Sequence, residues 1–253
     1  MFSPKIKTKA QFCPMIGKLM TNTKAKNPLL AKKAAGEAAA ALVQEGMRVG
    51  LGTGSTAAFF IDSLALRCQK GLKITAVATS RDSHHRALDA GIPLIEGLQL
   101  ESLDLTVDGA DEIDPYKRMI KGGGGALLYE KIAANCSKEL VIIVDESKLV
   151  KQLGKMALPV EIVPFGYRSV LHKIQQLGYQ AHLRKGASTD PFISDAGHYI
   201  ADIHFKELLR NPEEVHHQLL AIPGVVDTGF FFNLAGRIIV GYDDGRVQQF
   251  QHF

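Results

Sequence analysis

Tryptophan is absent from this chain, and cysteine occurs only three times, as Cys13, Cys68 and Cys136. No apolar run approaches the roughly 18 residues that a membrane-spanning helix needs, so no membrane partner is expected. An odd, sparse cysteine count without C-x-x-C excludes a disulfide framework and suits free thiols in a reducing cytoplasm. The nine His contain no H-E-x-x-H, and no metal is expected. The 24 Gly and 10 Pro follow no period, which excludes collagen-like and low-complexity classes, while 46% hydrophobic residues exclude disorder.

Acidic residues are missing from positions 1–28, which hold six Lys at 5, 7, 9, 18, 24 and 26. The formal charge of +4 therefore becomes −2 over residues 29–253. The basic character belongs to an N-terminal extension, and the nucleic-acid reading of the charge falls away. Pro14 and Lys18 interrupt its one apolar stretch, so a secretory signal is not expected, and its lack of Arg argues against a transit peptide. The extension is expected to be disordered or to reflect a misplaced start, with Met20 the alternative.

Regular punctuation begins at Asn27, a helix cap followed by Pro28 and an Ala-rich helix that stops at Gly46. Strands at Met47–Leu51, Lys73–Ala78, Ile92–Ile95, Leu103–Val107 and Leu140–Val144 alternate with helices near Ser55–Arg67, Asp82–Ala90 and Ala126–Asn135. This rhythm predicts a mostly parallel sheet covered on both faces, with ligand sites at the strands' carboxyl ends. After Gly154 the rhythm changes. Strands at Val160–Val163, Gln180–Arg184, Tyr199–Ile203 and Val225–Phe231, with helices at Tyr167–Leu177 and Pro212–Ala221, predict a small α+β sandwich of split βαβ type. Arg237–Tyr242 and Arg246–Phe250 around Asp243-Asp244-Gly245 read as a hairpin that returns to the first domain. The expected domains are 29–154 plus 233–253, and 155–232.

Four segments carry chemistry. Gly50-Leu51-Gly52-Thr53-Gly54-Ser55-Thr56 joins a strand to a helix whose free N–H groups suit an anion, and lacks both the dinucleotide and the P-loop glycine spacing. Thr79-Ser80-Arg81 follows the next strand. Ser80 and Arg81 keep open an NADP-dependent oxidoreductase, against a plain helix cap. Asp108-Gly109-Ala110-Asp111-Glu112-Ile113-Asp114 puts four carboxylates at a strand's end without calcium-loop spacing, and their crowding is expected to raise a pKa for proton transfer. Lys121 and Gly122-Gly123-Gly124-Gly125 combine a fixed charge with backbone N–H groups that can surround an oxyanion. Glu130 sits in the second turn of the next helix, leaning back toward them. A carboxylate base, a lysine and an N–H nest suit proton abstraction beside a carbonyl. Lys148 and Lys32 are candidate phosphate contacts.

Taken together, G-x-G-T-G-S-T-A at 50–57, T-S at 79–80, D-G-A-D-E at 108–112, K-G-G-G-G-A at 121–126, E-K at 130–131, D-x-S-K at 145–148 and L-P-V-E-I-V-P at 158–164 closely resemble the ribose-5-phosphate isomerase A family. The resemblance implies a Rossmann-like α/β domain with a smaller ferredoxin-like α+β domain, assembled as a homodimer or homotetramer. It implies interconversion of D-ribose 5-phosphate and D-ribulose 5-phosphate through a cis-enediolate, in the pentose phosphate pathway, without metal or organic cofactor. Glu130 matches the base, Asp108 and Asp111 the paired aspartates, and Lys121 with the glycine N–H groups the enediolate stabiliser. Thr53, Gly54, Ser55, Thr56, Gly109, Ala110, Gly122, Gly123, Gly124, Lys148 and Lys32 match substrate contacts. The chain departs from the family's pattern at Ser194–His198 and Gly229–Phe232, changes expected to touch surface or assembly rather than chemistry. A sugar-phosphate-binding regulator without turnover is the remaining alternative.

Overall fold

Residues 27–187 and 189–250 are described by the computed structural model; the expected N-terminal extension, save Asn27 and Pro28, and the alternative start at Met20 lie outside them. The elements run α1 (Pro28–Ala40), β1 (Arg48–Leu51), α2 (Ser55–Gln69), β2 (Thr75–Ala78), α3 (Arg81–Asp89), β3 (Leu105–Asp108), β4 (Glu112–Ile113), β5 (Met119–Ile120), α4 (Leu127–Asn135), β6 (Leu140–Asp145) and β7 (Leu158–Ile162). There follow α5 (Tyr167–Gln176), β8 (Gln180–Leu183), β9 (Tyr199–His204), α6 (Pro212–Leu220), β10 (Val225–Thr228), β11 (Phe230–Phe231), β12 (Ala235–Gly241) and β13 (Val247–Phe250).

The first sheet has the order β13-β12-β6-β3-β1-β2 and is parallel except for the β12–β13 hairpin. Its centre is apolar on both faces, as a doubly covered sheet requires, and every residue of β6 is buried. Val141 and Ile143 pack under α1 and α2, while Leu140, Ile142 and Val144 face Leu127 and Ala134 of α4 and Ile200 of β9. Helix α1 starts where Asn27 accepts a hydrogen bond from the Leu30 N–H, and buries Ala31, Ala35, Ala39 and Ala40. Its small residues permit a close crossing: a Cβ on Gly36 would lie 2.7 Å from the Phe60 backbone nitrogen.

The second sheet is antiparallel, β10-β7-β9-β8. Leu158, Val160 and Ile162 of β7 turn toward α5 and α6, packing with Val170, Ile174, Val215 and Leu219. Alternation sends Glu161 to the opposite face.

Three readings of the sequence change. Ile92–Ile95 makes only a single bridge, Ala76 to Leu94, because Pro93 has no N–H to extend a ladder. Val225–Phe231 breaks at Gly229, which donates to the Pro159 carbonyl at 2.7 Å and accepts from the Lys121 N–H at 2.8 Å. Beyond the break, β11 joins β5 and β4 in a third, three-stranded sheet that the sequence did not announce.

Candidate active site

From β1 the chain passes to β2 on one side and later to β3 on the other, so a crevice opens between the carboxyl ends of β1 and β3, where α/β sheets place ligands. Asp108 ends β3 and is wholly buried there. Its Oδ1 accepts from the Gly109 N–H at 2.7 Å and the Thr53 N–H at 3.1 Å. Gly52 makes this approach possible: a Cβ on it would lie 2.3 Å from Asp108 Oδ1 and 2.6 Å from Asp108 Cα. Gly52→Ala is expected to lower turnover by about 10²-fold through misplacement and to cost about 1–3 kcal/mol of stability. Gly97→Ala, with nothing within 4 Å of the new methyl, serves as the control in denaturant titration and turnover assays.

Lys121, at the end of β5, is buried and reaches into the same crevice. Its Nζ donates to the Gly109 carbonyl at 2.7 Å and lies 3.0 Å from Asp108 Oδ2 and 3.1 Å from Glu130 Oε2. Those two oxygens are buried and have no aligned hydrogen-bond donor, so each retains lone pairs for a substrate proton. Glu130 stands in α4 as the sequence reading required. Loss of water and the nearby Asp108 charge push its carboxyl up to about 8, against the opposing pull of Lys121. Burial also raises Asp108, although Lys121 and its two N–H donors counteract it. The adjacent carboxylates hold Lys121 above the usual lysine range in spite of burial. The two backbone N–H donors on Asp108 favour its charged form.

The acidic segment does not act as one crowded cluster. Asp111 faces the glycine loop and accepts from the Gly123 N–H at 2.8 Å. Glu112, on β4, accepts from the backbone of Gly154 and Met156 at 2.8 and 2.6 Å, and Asp114 pairs with Arg118 at 2.6 Å. The raised values of Asp108 and Asp114 come from burial rather than mutual repulsion. Alternation turns Glu112 and Asp114 to the side opposite Asp111, and Asp108 stands apart at the end of β3.

At the start of α2, Gly54 supplies the cap with φ 102° and no side-chain bond, so the first-turn N–H groups have no capping side chain. Ser55 accepts from Lys32 Nζ at 3.0 Å, so α1 brings its lysine to the anion end of α2. Thr56 is half-buried beside them. Thr53 Oγ1 is bonded to Ser80 at 2.8 Å and lies 3.0 Å from Thr79. Ser80 caps α3 by accepting from the Ser83 N–H, and Arg81 pairs with Asp195, so the pair that suggested NADP is otherwise engaged. Ala110 lies between Gly109 and Asp111, half-buried. Lys148 is half-buried in the short 3-10 turn Glu146–Lys148 after β6 and makes no hydrogen bond or ion pair among the described residues. No group of three or more His, Cys, Asp or Glu among the described residues has an arrangement that would hold a metal.

Sequence reading missed residues that reach the site from the other sheets. Phe231 is fully buried, with Lys121 Nζ 5.3 Å and Lys131 Nζ 4.8 Å from its ring centre. Asp195 accepts from the Arg81 N–H at 2.7 Å, and Ser194 and His198 meet the buried Glu161 at 2.7 and 3.1 Å. Of these departures, Ser194, Phe230 and Phe231 are buried beside the site's supports, whereas Ala196 and His198 are half-buried and Gly197 is exposed. Their aromatic and acidic residue types were the available signal.

A family model for ribose 5-phosphate isomerase A (phosphoriboisomerase A) matches residues 75–245. Ribose-5-phosphate isomerase A of Protochlamydia amoebophila (strain UWE25) is 50% identical over 229 residues, covering 90% of this chain and 99% of that protein. A solved D-ribose-5-phosphate isomerase in complex with phospho-erythronic acid superposes with a TM-score of 0.83 at 34% identity, covering 90% of this chain and all of that one, 100%. Ribose 5-phosphate isomerase A of Methanocaldococcus jannaschii gives a TM-score of 0.81 at 37% identity over 87% of this chain and 98% of its own.

Proposed function

The chain belongs to the ribose-5-phosphate isomerase A family and interconverts D-ribose 5-phosphate and D-ribulose 5-phosphate, and from that premise we propose that Glu130 carries the proton between C1 and C2. The observation that carries this reading is the buried Lys121 ammonium held between Asp108 Oδ2 at 3.0 Å and Glu130 Oε2 at 3.1 Å. In the proposed reaction Asp108 and Asp111 open the furanose ring and exchange hydroxyl protons. Ionised Glu130 then takes the proton beside the carbonyl, giving a cis-enediolate, and returns it to the neighbouring carbon. The negative charge grows next to Lys121 and the N–H groups of the Gly122–Gly124 loop, donors fixed before reaction begins. Lys121 donates one aligned hydrogen bond, to the Gly109 carbonyl, and is otherwise held by its two ion pairs, so an enediolate oxygen competes with these neighbours as its charge develops. The phosphate is proposed to lie on Ser55, Thr56 and the first-turn N–H groups of α2, neutralised by Lys32, with Lys148 approaching from the rim. Binding energy from that remote group orients the reacting carbons.

This assignment fixes a pH profile. The base must be ionised, so kcat/KM is expected to rise with pH and level off above about 8, reporting the free enzyme. Initial-rate measurements at subsaturating substrate check it; an inflection near the ordinary 4.5 instead contradicts the buried-base assignment.

The same reading divides the chain into 29–154 with 233–253 as the catalytic domain and 155–232 as a smaller ferredoxin-like domain. It also makes the enzyme a homodimer or homotetramer of the cytoplasm. Exposed Leu98, Phe165 and Ile193 support self-association, and the free Cys68 and Cys136 support a reducing compartment. No helix of the described residues is long and apolar enough to cross a membrane.

A further inference from the structure

Residue 184 follows β8, in the second sheet, yet its guanidinium crosses to the glycine loop. Arg184 Nη1 donates to the Gly122 carbonyl at 3.2 Å and to the Gly123 carbonyl at 3.0 Å. Its other edge is fixed by Asp202 of β9, through Nε at 2.8 Å and Nη2 at 2.5 Å. The bidentate pair leaves the guanidinium plane little freedom, because a planar fork bound on two atoms has one orientation. Phe192 wedges the loop from the same side: a Cβ on Gly125 would lie 2.4 Å from its ring, and the Arg184 guanidinium stands 5.7 Å from the ring centre.

A trans peptide points its C=O and the following N–H in opposite directions. With the Gly122 carbonyl turned to Arg184, the Gly123 N–H faces Asp111, where it donates at 2.8 Å. With the Gly123 carbonyl also turned to Arg184, the Gly124 N–H must face away from the second sheet, and no described residue accepts it. Gly123 and Gly124 are exposed while Gly122 and Gly125 are buried, so the loop presents this donor to open space beside Asp111.

We propose that Arg184, clamped by Asp202, is a positioning residue that orients the Gly122–Gly123 and Gly123–Gly124 peptides so that the Gly124 N–H is aimed at the enediolate oxygen. The proposal rests on the reading of this loop as the enediolate's donor nest. Arg184 touches neither substrate nor Glu130; it acts through two carbonyl oxygens, and its removal frees four successive glycines to rotate.

The test uses the full chain and two probes that share a phosphorylated four-carbon skeleton. One is 4-phosphoerythronate, whose carboxylate imitates enediolate charge; the other is erythritol 4-phosphate, which is neutral at that end. The parent enzyme is expected to prefer the carboxylate probe by at least about 10-fold. Arg184→Ala is expected to lower kcat by about 10–10²-fold with KM within about 2-fold, the signature of a misplaced transition-state donor. Its affinity for 4-phosphoerythronate should fall by a similar factor, while that for erythritol 4-phosphate is retained. Asp202→Asn, which keeps the side-chain volume and weakens the clamp, should shift the same quantities in the same direction by a smaller factor, and decides the matter if Arg184→Ala does not fold. Unchanged kcat, equal loss of both probes, or intact discrimination in Asp202→Asn overturns the positioning role alone. Equal affinity of the parent for both probes overturns the nest reading, and the positioning role with it.

Discussion

Glu130→Gln is expected to lower turnover by at least about 10²-fold while leaving the affinity for a pentose phosphate within a few-fold. The amide fills the carboxylate's volume and can still present an oxygen to Lys121, but it cannot accept the carbon-bound proton. The phosphate contacts on α2 and Lys32 lie on other elements and are untouched. Stability moves little at neutral pH, because burial already favours an uncharged group at this position. The pH dependence is more telling. The folded value of about 8 lies above the ordinary 4.5, so Glu130's contribution to stability is full below pH 4.5 and is lost as pH rises through 8. The glutamine variant escapes that loss, so its unfolding midpoint relative to the parent should improve between pH 6 and about 9. Turnover assays and denaturant titrations at both ends of that window check the two statements, and near-normal turnover would remove Glu130 from the role of base.

Lys121→Met is expected to damage both stability and chemistry. The ammonium is 3% exposed and is the only cation paired with Asp108 or Glu130 among the described residues. Without it two desolvated carboxylates face each other, and breaking a buried ion pair by removing one partner costs about 3–5 kcal/mol. Turnover should fall by at least about 10²-fold with the loss of charge stabilisation at the enediolate. The stability deficit should be greatest above about pH 8, where Glu130 must ionise as well, and shrink as pH falls and the orphaned carboxyls take up protons, whereas the turnover deficit should not recover. A deficit independent of pH would mean that the lysine's stem, and not its charge, holds this part of the core.

Most of the candidate site was legible because its signals are local. A strand ending in Asp108, a run of glycines preceded by Lys121 and a glutamate one turn into the next helix each occupy a short stretch whose chemistry can be read without knowing the partner. The same is true of Asn27 and Pro28 at the start of α1, and of the turn that makes the β12–β13 hairpin. What escaped is non-local. Arg184 reaches glycines more than sixty positions earlier in sequence, and the strands of the third sheet are each two residues long, too short to show a period. Phe231 falls in the segment expected to form the smaller domain, and the break at Gly229 brings it beside Lys121 and Lys131. The acidic segment was over-read: two-residue alternation, applied to Glu112 and Asp114, already separates them from the crevice.

The position of β12 has a consequence for how the chain is made. It pairs along the full length of β6 and also supports α1, the helix that delivers Lys32. During synthesis, the segment Leu140–Asp145 and the Ala-rich helix both emerge well before residues 235–241 are available to cover them. Until then, Leu140-Val141-Ile142-Ile143-Val144 presents an unpaired, uncharged β edge of the kind that seeds misassociation. The residues of the candidate crevice are thus all in sequence by Lys148, while one edge of the sheet beneath them still waits for its neighbour. Closure of that edge therefore depends on a strand that lies some ninety positions further along the chain, in residues 235–241.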